Sequence, residues 1–330
     1  MAPGASSCGG LRESRGAGAT LAAVVREILP GTSWSKAREL CAQGRVLVDG
    51  EPATDPARRV AAEERVEVRA GGPAPRREPA LTDLVVHLDS EVAVVRKPAG
   101  ILTVPFERDD RDTLLSLTRV AIRRIEAKNG GKTKASPTLR AVQRLDKETS
   151  GLVVFARTVA AQRHLQEQLA AHTVLRRYLA LVHGAAEDAV YETLLVPDRG
   201  DGLRGSWGVF KPARGEPPAE AREAVTRVTV LERLAGATRV ACELETGRQH
   251  QIRIHLAEAG HPLVGETVYI RDWRGPRLPA PRPMLHAAVL GFVHPRSGKR
   301  LRFEEPAPED FARVLARLRG GKQPRPSSRD

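Results

Sequence analysis

Residues 140–158 constrain what this chain can fold into more than any other stretch. Two apolar runs, Ala141-Val142 and Leu152-Val153-Val154-Phe155, flank the polar segment Arg144-Leu145-Asp146-Lys147-Glu148-Thr149-Ser150-Gly151. β-Branched and aromatic side chains fit a pleated, half-buried surface, so the second run reads as a strand. Gly151 frees the backbone for a tight turn into it. The polar segment is too hydrophilic to bury and too short to link domains. Asp146 is therefore expected on a loop held by rigid strands, where a carboxylate can face a substrate and stay fixed. Taken alone, Arg-Leu-Asp-Lys is more often a solvated charged turn.

The full octet from Arg144 to Gly151 resembles the signature loop of the pseudouridine synthases of the RluA type, which act on ribosomal and transfer RNA. That family's loop usually begins with His, where Gln143 stands here. The Asp of the motif is the family's catalytic residue, so the resemblance implies Asp146. A second segment agrees: Thr246-Gly247-Arg248-Gln249-His250-Gln251-Ile252-Arg253-Ile254-His255, ending at Gly260-His261-Pro262. Ile252, His255, Leu256 and Ala259 recur at helical spacing, and Gly260 and Pro262 are stop signals. Family members place the Arg after Gln-Ile beside the catalytic Asp, which implies Arg253.

Further stretches extend the resemblance over roughly residues 82–310. Val85–Leu88 and Val92–Val95 read as strands leading into Lys97-Pro98-Ala99-Gly100. Leu263 to Tyr269 also fits, with Glu266 where the family usually has Asp, as do Met284-Leu285-His286-Ala287 and Phe292-Val293-His294-Pro295. Thr158 can cap a helix bearing Ala161, Leu165 and Leu169 on one face. Strands are expected again at Val225–Leu231 and Thr238–Leu244, whereas residues 197–220 carry no readable pattern. Arg176–Val182 reads as a strand in which Tyr178 shares a face with Ala180 and Val182. A strand Tyr is ordinarily core packing; the resemblance implies that Tyr178 holds a flipped uracil. Arg144 is placed to reach the RNA backbone or to fill the vacated stack.

A separate pattern precedes this region. Leu21, Val24, Val25 and Ile28 recur at helical spacing, and Pro30-Gly31 ends that helix. Ser33 or Ser35 can cap a second helix that stops at Gly44, and Val46–Val48 leads into the hairpin dipeptide Asp49-Gly50. Val66-Glu67-Val68 closes the unit. Ser35-Lys36-Ala37, Gly44, Val46, Val48 and Gly50 resemble the small RNA-binding domain named after ribosomal protein S-four. Its usual Arg-Leu-Asp at the first helix is missing, and Glu63-Glu64 replaces a usual Gly-Asp. Lys36, Arg38 and Arg45 could meet RNA phosphates, although each is equally an ordinary solvated charge. The expected organisation is a disordered segment 1–17, the small domain at 18–70, a Pro-rich linker at 71–81, a catalytic domain at 82–317 and a basic tail at 318–330. Residues 127–138 read as a flexible basic loop.

Composition bounds the partners. With 330 residues, about two domains are expected. The 53 basic and 40 acidic side chains leave +13 and a pI near 10.3. Such a surplus favours a polyanion through counterion release, without separating RNA from DNA or an anionic membrane. No apolar run approaches a membrane span, and the first residues lack the apolar core of a signal peptide. Cys8, Cys41 and Cys242 stand singly, without metal-ligand spacing, as in a reducing cytoplasm.

The implied chemistry breaks the bond from ribose to ring nitrogen, rotates the uracil and rejoins it through a ring carbon. Nothing is oxidised or reduced, so no cofactor is expected and no metal. An ionised carboxylate is needed that can attack the uracil ring or the anomeric carbon. A carboxylate in a dry pocket tends to take up a proton; a neighbouring guanidinium counters this and can orient it through paired hydrogen bonds. Two other classes compete. A purely RNA-binding protein has no need of Asp146, Tyr178 and Arg253 together. A tyrosine recombinase needs a nucleophilic Tyr on a downstream helix, and only Tyr269 follows, in a strand-like setting. His250 and His255, five apart, fall on different helix faces and do not make a metal site. The expectation is an α+β enzyme: a mixed, mainly antiparallel catalytic sheet flanked by helices, plus the small α/β domain. It should act as a cytoplasmic monomer on RNA, ribosomal in preference to transfer RNA, with no membrane and no protein partner.

Overall fold

The structure, a computed structural model, describes residues 18–42, 45–49, 51–53, 55–61, 64–68, 81–106, 110, 112–129 and 137–320. The chain divides into two compact units between Ala80 and Leu81. The expected disordered segment 1–17, nearly all of the linker, most of the 127–138 loop, Gly44, Gly50, Glu63 and Cys8 lie outside the described residues.

In the first unit, α1 (Leu21–Ile28) and α2 (Trp34–Ala42) pack beside a three-stranded antiparallel sheet. Its strands β1 (Val46–Val48), β2 (Glu51–Pro52) and β3 (Val66–Val68) run in the order β2-β1-β3. The apolar stripe of α1 is buried with Ala37, Leu40 and Cys41 of α2 and with Val46, Val48, Val66 and Val68. Ser33 caps α2: its Oγ accepts from the Lys36 amide at 3.1 Å.

The second unit is built on one sheet of eleven strands. In chain order these are β4 (Val85–Leu88), β5 (Val92–Lys97), β6 (Arg140–Ala141), β7 (Ser150–Ala156), β8 (Leu175–His183), β9 (Ala189–Val196), β10 (Gly205–Ser206), β11 (Arg222–Leu234), β12 (Ala237–Leu244), β13 (Leu285–Val293) and β14 (Arg300–Glu304). The path across it is β10-β9-β11-β12-β8-β13-β7-β5-β4, with β14 on β13 and β6 on β7. Every pairing is antiparallel except the short parallel contact of β13 with β7, so the sheet is mixed and mainly antiparallel, as the sequence implies.

Four helices cover the sheet. α3 (Leu114–Lys128) and α5 (Gln251–Glu258) lay Leu114, Ile122, Ile252 and Leu256 on one face, against Val95, Phe155, Tyr178 and Val240. α4 (Val159–Ala170) covers the other face at Val94, Leu152 and Val154. α6 (Glu309–Gly320) packs Phe311, Val314 and Leu318 against Leu181 and Met284. Because β7 is covered on both sides, all seven of its residues are buried, and its sequence is continuously apolar after Gly151 instead of alternating.

Three local readings change. Gly151 is the second residue of β7, not a turn into it. Its φ is 119°, and a Cβ there would collide with the backbone of Ala287 on the parallel neighbour. Val268–Ile270 forms turns, not a strand, because the Glu266 carboxylate gathers the amides of Thr267 and Val268. α6 runs to Gly320, three residues into the expected tail, since Leu318 is buried in its core. Among the described residues no helix is long and apolar enough to cross a membrane.

Candidate active site

Asp146 sits on the loop between β6 and β7, and that loop is fixed through its carbonyls. The Thr103 hydroxyl donates to Leu145 O at 3.0 Å and accepts from the Leu145 amide at 3.1 Å. Leu145 itself is buried. Lys97, 1% exposed at the end of β5, donates to the carbonyls of Lys147 (2.7 Å), Thr149 (2.8 Å) and Pro98 (3.2 Å). Burial pulls its ammonium down to about 8, against the opposing pull of Asp146 and Glu148. Arg282 donates to Glu148 O at 3.0 Å and to Ser150 Oγ at 3.1 Å, and is itself held by Asp310. Two buried cations and a hydroxyl thus hold five residues around Asp146, Leu145 on one side and Lys147 to Ser150 on the other, where the sequence suggested flanking strands alone.

The Asp146 side chain is 28% exposed and lines a cleft of about 480 Å³ with Arg144, Tyr178, His250 and Arg253. Arg253, on α5, brings Nη1 to 3.7 Å from Asp146 Oδ2. Its paired hydrogen bonds go elsewhere: Nε donates to Glu266 Oε2 at 2.8 Å and Nη2 to Glu266 Oε1 at 2.7 Å. The expected guanidinium is therefore beside Asp146, but the fork of bonds that orients it engages Glu266. That carboxylate is fully buried. Burial alone would raise its pKa, yet the Arg253 hydrogen bonds and charge and the amides of Val268 and Tyr269 hold it below the usual value.

Tyr178, on β8, is 8% exposed, with Ala180 and Val182 in the same core cluster. Burial pushes its hydroxyl up to about 12, so it stays a neutral phenol. Arg144 is exposed on the rim of the cleft. His250 was missed as a site residue. It precedes α5 in the left-handed region (φ 59°), a conformation that costs about 1–3 kcal/mol outside glycine. Its Nδ1 lies 2.8 Å from the Tyr269 hydroxyl, and its Nε2 lies 3.9 Å from Asp146 Oδ1. Burial holds this imidazole below its ordinary pKa despite Asp146. His255 is a core residue, with both ring nitrogens at 2.9 Å from the hydroxyls of Thr193 and Thr226. Among the described residues no cluster of three His, Cys, Asp or Glu side chains could hold a metal.

Lys36, Arg38 and Arg45 belong to the first unit, apart from these residues in the chain. Lys36 and Arg38 are exposed on α2, with Lys36 Nζ 3.0 Å from Glu39, and Arg45 is half-buried before β1. Of the residues that sequence reasoning missed, Lys97 carried a signal, the Lys-Pro-x-Gly turn. Thr103 and Arg282 carried none.

Comparison with known proteins identifies the family. The family model described as RNA pseudouridylate synthase matches residues 91–258, and the S4 domain model matches residues 20–66. The ribosomal large subunit pseudouridine synthase D of Neisseria meningitidis serogroup A is 36% identical over an alignment spanning 92% of this chain and 79% of that protein. The synthase of the same name from Nitrosomonas europaea is 34% identical, spanning 92% and 85%. The solved structure of human RNA pseudouridylate synthase domain containing 4 shares the fold, with a TM-score of 0.57 at 22% identity over 74% of this chain and 96% of that one. Sequence similarity spans nearly the whole chain, and the chain belongs to the RNA pseudouridylate synthase family, in its RluA branch, as an RNA uridine isomerase with an amino-terminal S4 domain.

Proposed function

We propose that this enzyme isomerises specific uridines of large-subunit ribosomal RNA, with Asp146 as nucleophile acting on a uridine flipped out of its stack. The observation that carries the reading is the partly exposed Asp146 carboxylate, in a cleft lined by Tyr178 and 3.7 Å from Arg253. Two relatives named as large-subunit synthases, aligned over 92% of the chain, favour ribosomal over transfer RNA.

The steps balance without an added reagent. Attack by Asp146 on ring C6 or on ribose C1′ accompanies loss of the N1–C1′ bond. The uracil turns and C5 bonds to C1′. The bond to Asp146 breaks in turn: C5 displaces the carboxylate from C1′, or, after attack at C6, the adduct eliminates it, so Asp146 is regenerated. The C5 proton then leaves to solvent or a neighbouring base, and N1 takes one up. Arg253 favours the ionised nucleophile by its charge, while Glu266 keeps the guanidinium from folding onto Asp146. Tyr178 offers a fixed aromatic face for the extruded base. Arg144, on the rim, can follow the RNA backbone or fill the vacated stack.

Mapping pseudouridines in ribosomal and transfer RNA from cells lacking this gene tests the reading. Discrete sites in large-subunit RNA should lose the modification, regain it with the wild-type gene, and not regain it with Asp146→Asn. The variant protein should still fold and bind RNA. Restoration by Asp146→Asn would remove Asp146 as nucleophile; losses confined to transfer RNA would replace the substrate.

A further inference from the structure

Arg176 is a buried cation with no acid to answer it among the described residues. It lies on β8 two residues before Tyr178, is 8% exposed and lines the catalytic cleft. Its Nη2 donates to the carbonyls of Leu244 (3.2 Å) and Glu245 (2.6 Å), and among the described residues its buried Nε has no hydrogen-bond partner. The nearby carboxylates are engaged by other arginines: Glu245 pairs with Arg227 at 3.6 Å, and Glu243 with Arg177 at 2.9 Å. Its charged neighbour is a second cation, Arg248, which lines the same cleft and donates Nε to Glu223 O at 2.8 Å. The guanidinium lies against the bare Cα of Gly247, where any Cβ would sit 2.5 Å from Nη1. Carbonyl bonds offset only part of the cost of burying such a group; an anion completes the site.

The cleft supplies the anion's identity. Arg176 and Tyr178 point to one face of β8 with their Cα atoms about 7 Å apart, the scale of the separation between a nucleotide's phosphate and its base. A planar guanidinium matches the paired oxygens of a phosphodiester better than a point charge does. We propose that Arg176, with Arg248 on the rim, binds a backbone phosphate adjoining the target uridine and so sets the flipped nucleotide in register with Asp146. This rests on the reading that RNA uridine enters this cleft. Arg176 is then a binding and positioning residue, not a group that touches the reacting atoms.

The test uses the full-length enzyme, Arg176→Met and Arg176→Lys, and an unmodified large-subunit ribosomal RNA transcript labelled with tritium at uridine C5, which is released as C5 bonds to ribose. Arg176→Met should raise KM by about tenfold, with the loss falling on KM more than kcat. It should also flatten the dependence of log(kcat/KM) on log salt by about 0.7–0.9 of a unit, one phosphate contact. Arg176→Lys should restore the salt slope and part of the KM. Unchanged KM and slope, or an equal fall of kcat and melting temperature in both variants, would make Arg176 a structural clamp on the 244–245 carbonyls and overturn the proposal. A second arm is independent of the RNA: the Arg176 Nε–H resonance, assigned by its loss in Arg176→Met, should move on titration with inorganic phosphate but not with chloride of equal ionic strength. A resonance indifferent to phosphate also overturns the proposal. Release of no tritium by the wild type, with the phosphate shift present, would instead count against ribosomal RNA as substrate.

Discussion

Arg253 serves two carboxylates unequally: two bonds under 3 Å reach Glu266, against 3.7 Å to Asp146. Removing it would strand the fully buried Glu266 without its counter-charge, a loss of about 3–5 kcal/mol for a broken buried pair. Arg253→Met should therefore be less stable to urea than wild type at pH 7 by that order, and Arg253→Lys should recover part of the difference. Because the Glu266 pKa is depressed in the folded protein, its stabilisation is complete above the unfolded value of about 4.3 and is lost as pH falls through the lower folded value. The gap between wild type and Arg253→Met should narrow from pH 7 to about pH 3. A gap constant across that range would mean that the pair contributes packing and not charge. At this scale the sequence was readable wherever a motif fixed the residue: Asp146, Arg144, Tyr178 and Arg253 all line one cleft. Arg282 and Thr103 were not, because a side chain bonded to distant backbone carbonyls leaves no periodic or spacing signal.

At the scale of elements, the parallel contact of β7 with β13 brings the nucleophile's loop against the centre of the sheet. His286 faces Ser150 across it, with Nδ1 2.9 Å from Ser150 Oγ, and Ala287 faces Gly151. Gly151→Ala would meet both a φ of 119° and the Ala287 backbone. Strain and overpacking each cost about 1–3 kcal/mol. At about 2–4 °C per kcal/mol for a domain of this size, the melting temperature should fall by roughly 4–24 °C. A shift under 2 °C by calorimetry would show that the two strands separate freely. Elements with a clear apolar run or period, such as β7, β8, α1 and α5, could be read ahead of the structure. α3 and α6 were missed although Leu114, Ala121 and Ile122, and Phe311, Val314 and Leu318, carry helical spacing. In α3 the stripe is interrupted by Thr118 and crowded by four basic residues, which hid the period. The irregular stretches 197–220 and 261–284 have no period, and tertiary contacts such as Arg282 with Asp310 set their course.

The whole molecule is two bodies with separate cores. Among the described residues, the buried cluster of the first unit spans Leu21 to Val68 and the clusters of the second begin at Val92, so none of the described residues before 81 belongs to the catalytic core. Charge is divided less evenly. Residues 1–80 hold 12 of the 53 basic and 10 of the 40 acidic side chains, leaving all but +2 of the net +13 with the catalytic unit. Long-range attraction of RNA should therefore survive removal of the S4 domain, and what is lost should be the particular contacts of Lys36, Arg38 and Arg45. Each phosphate contact adds about 0.7–0.9 to the salt slope, so three give at most about 2–3 units, and fewer while Lys36 remains paired with Glu39. Deleting residues 1–80 should weaken binding to the ribosomal transcript and flatten its salt dependence by about two units. Turnover at saturating RNA should be retained, because Asp146, Tyr178, Arg253 and the groups that hold their loop all lie beyond residue 80. Filter binding across a salt series and single-turnover tritium release separate the two effects. If binding stayed intact while turnover at saturation fell to background, the S4 domain would be part of the catalytic assembly, and the division of labour would be wrong.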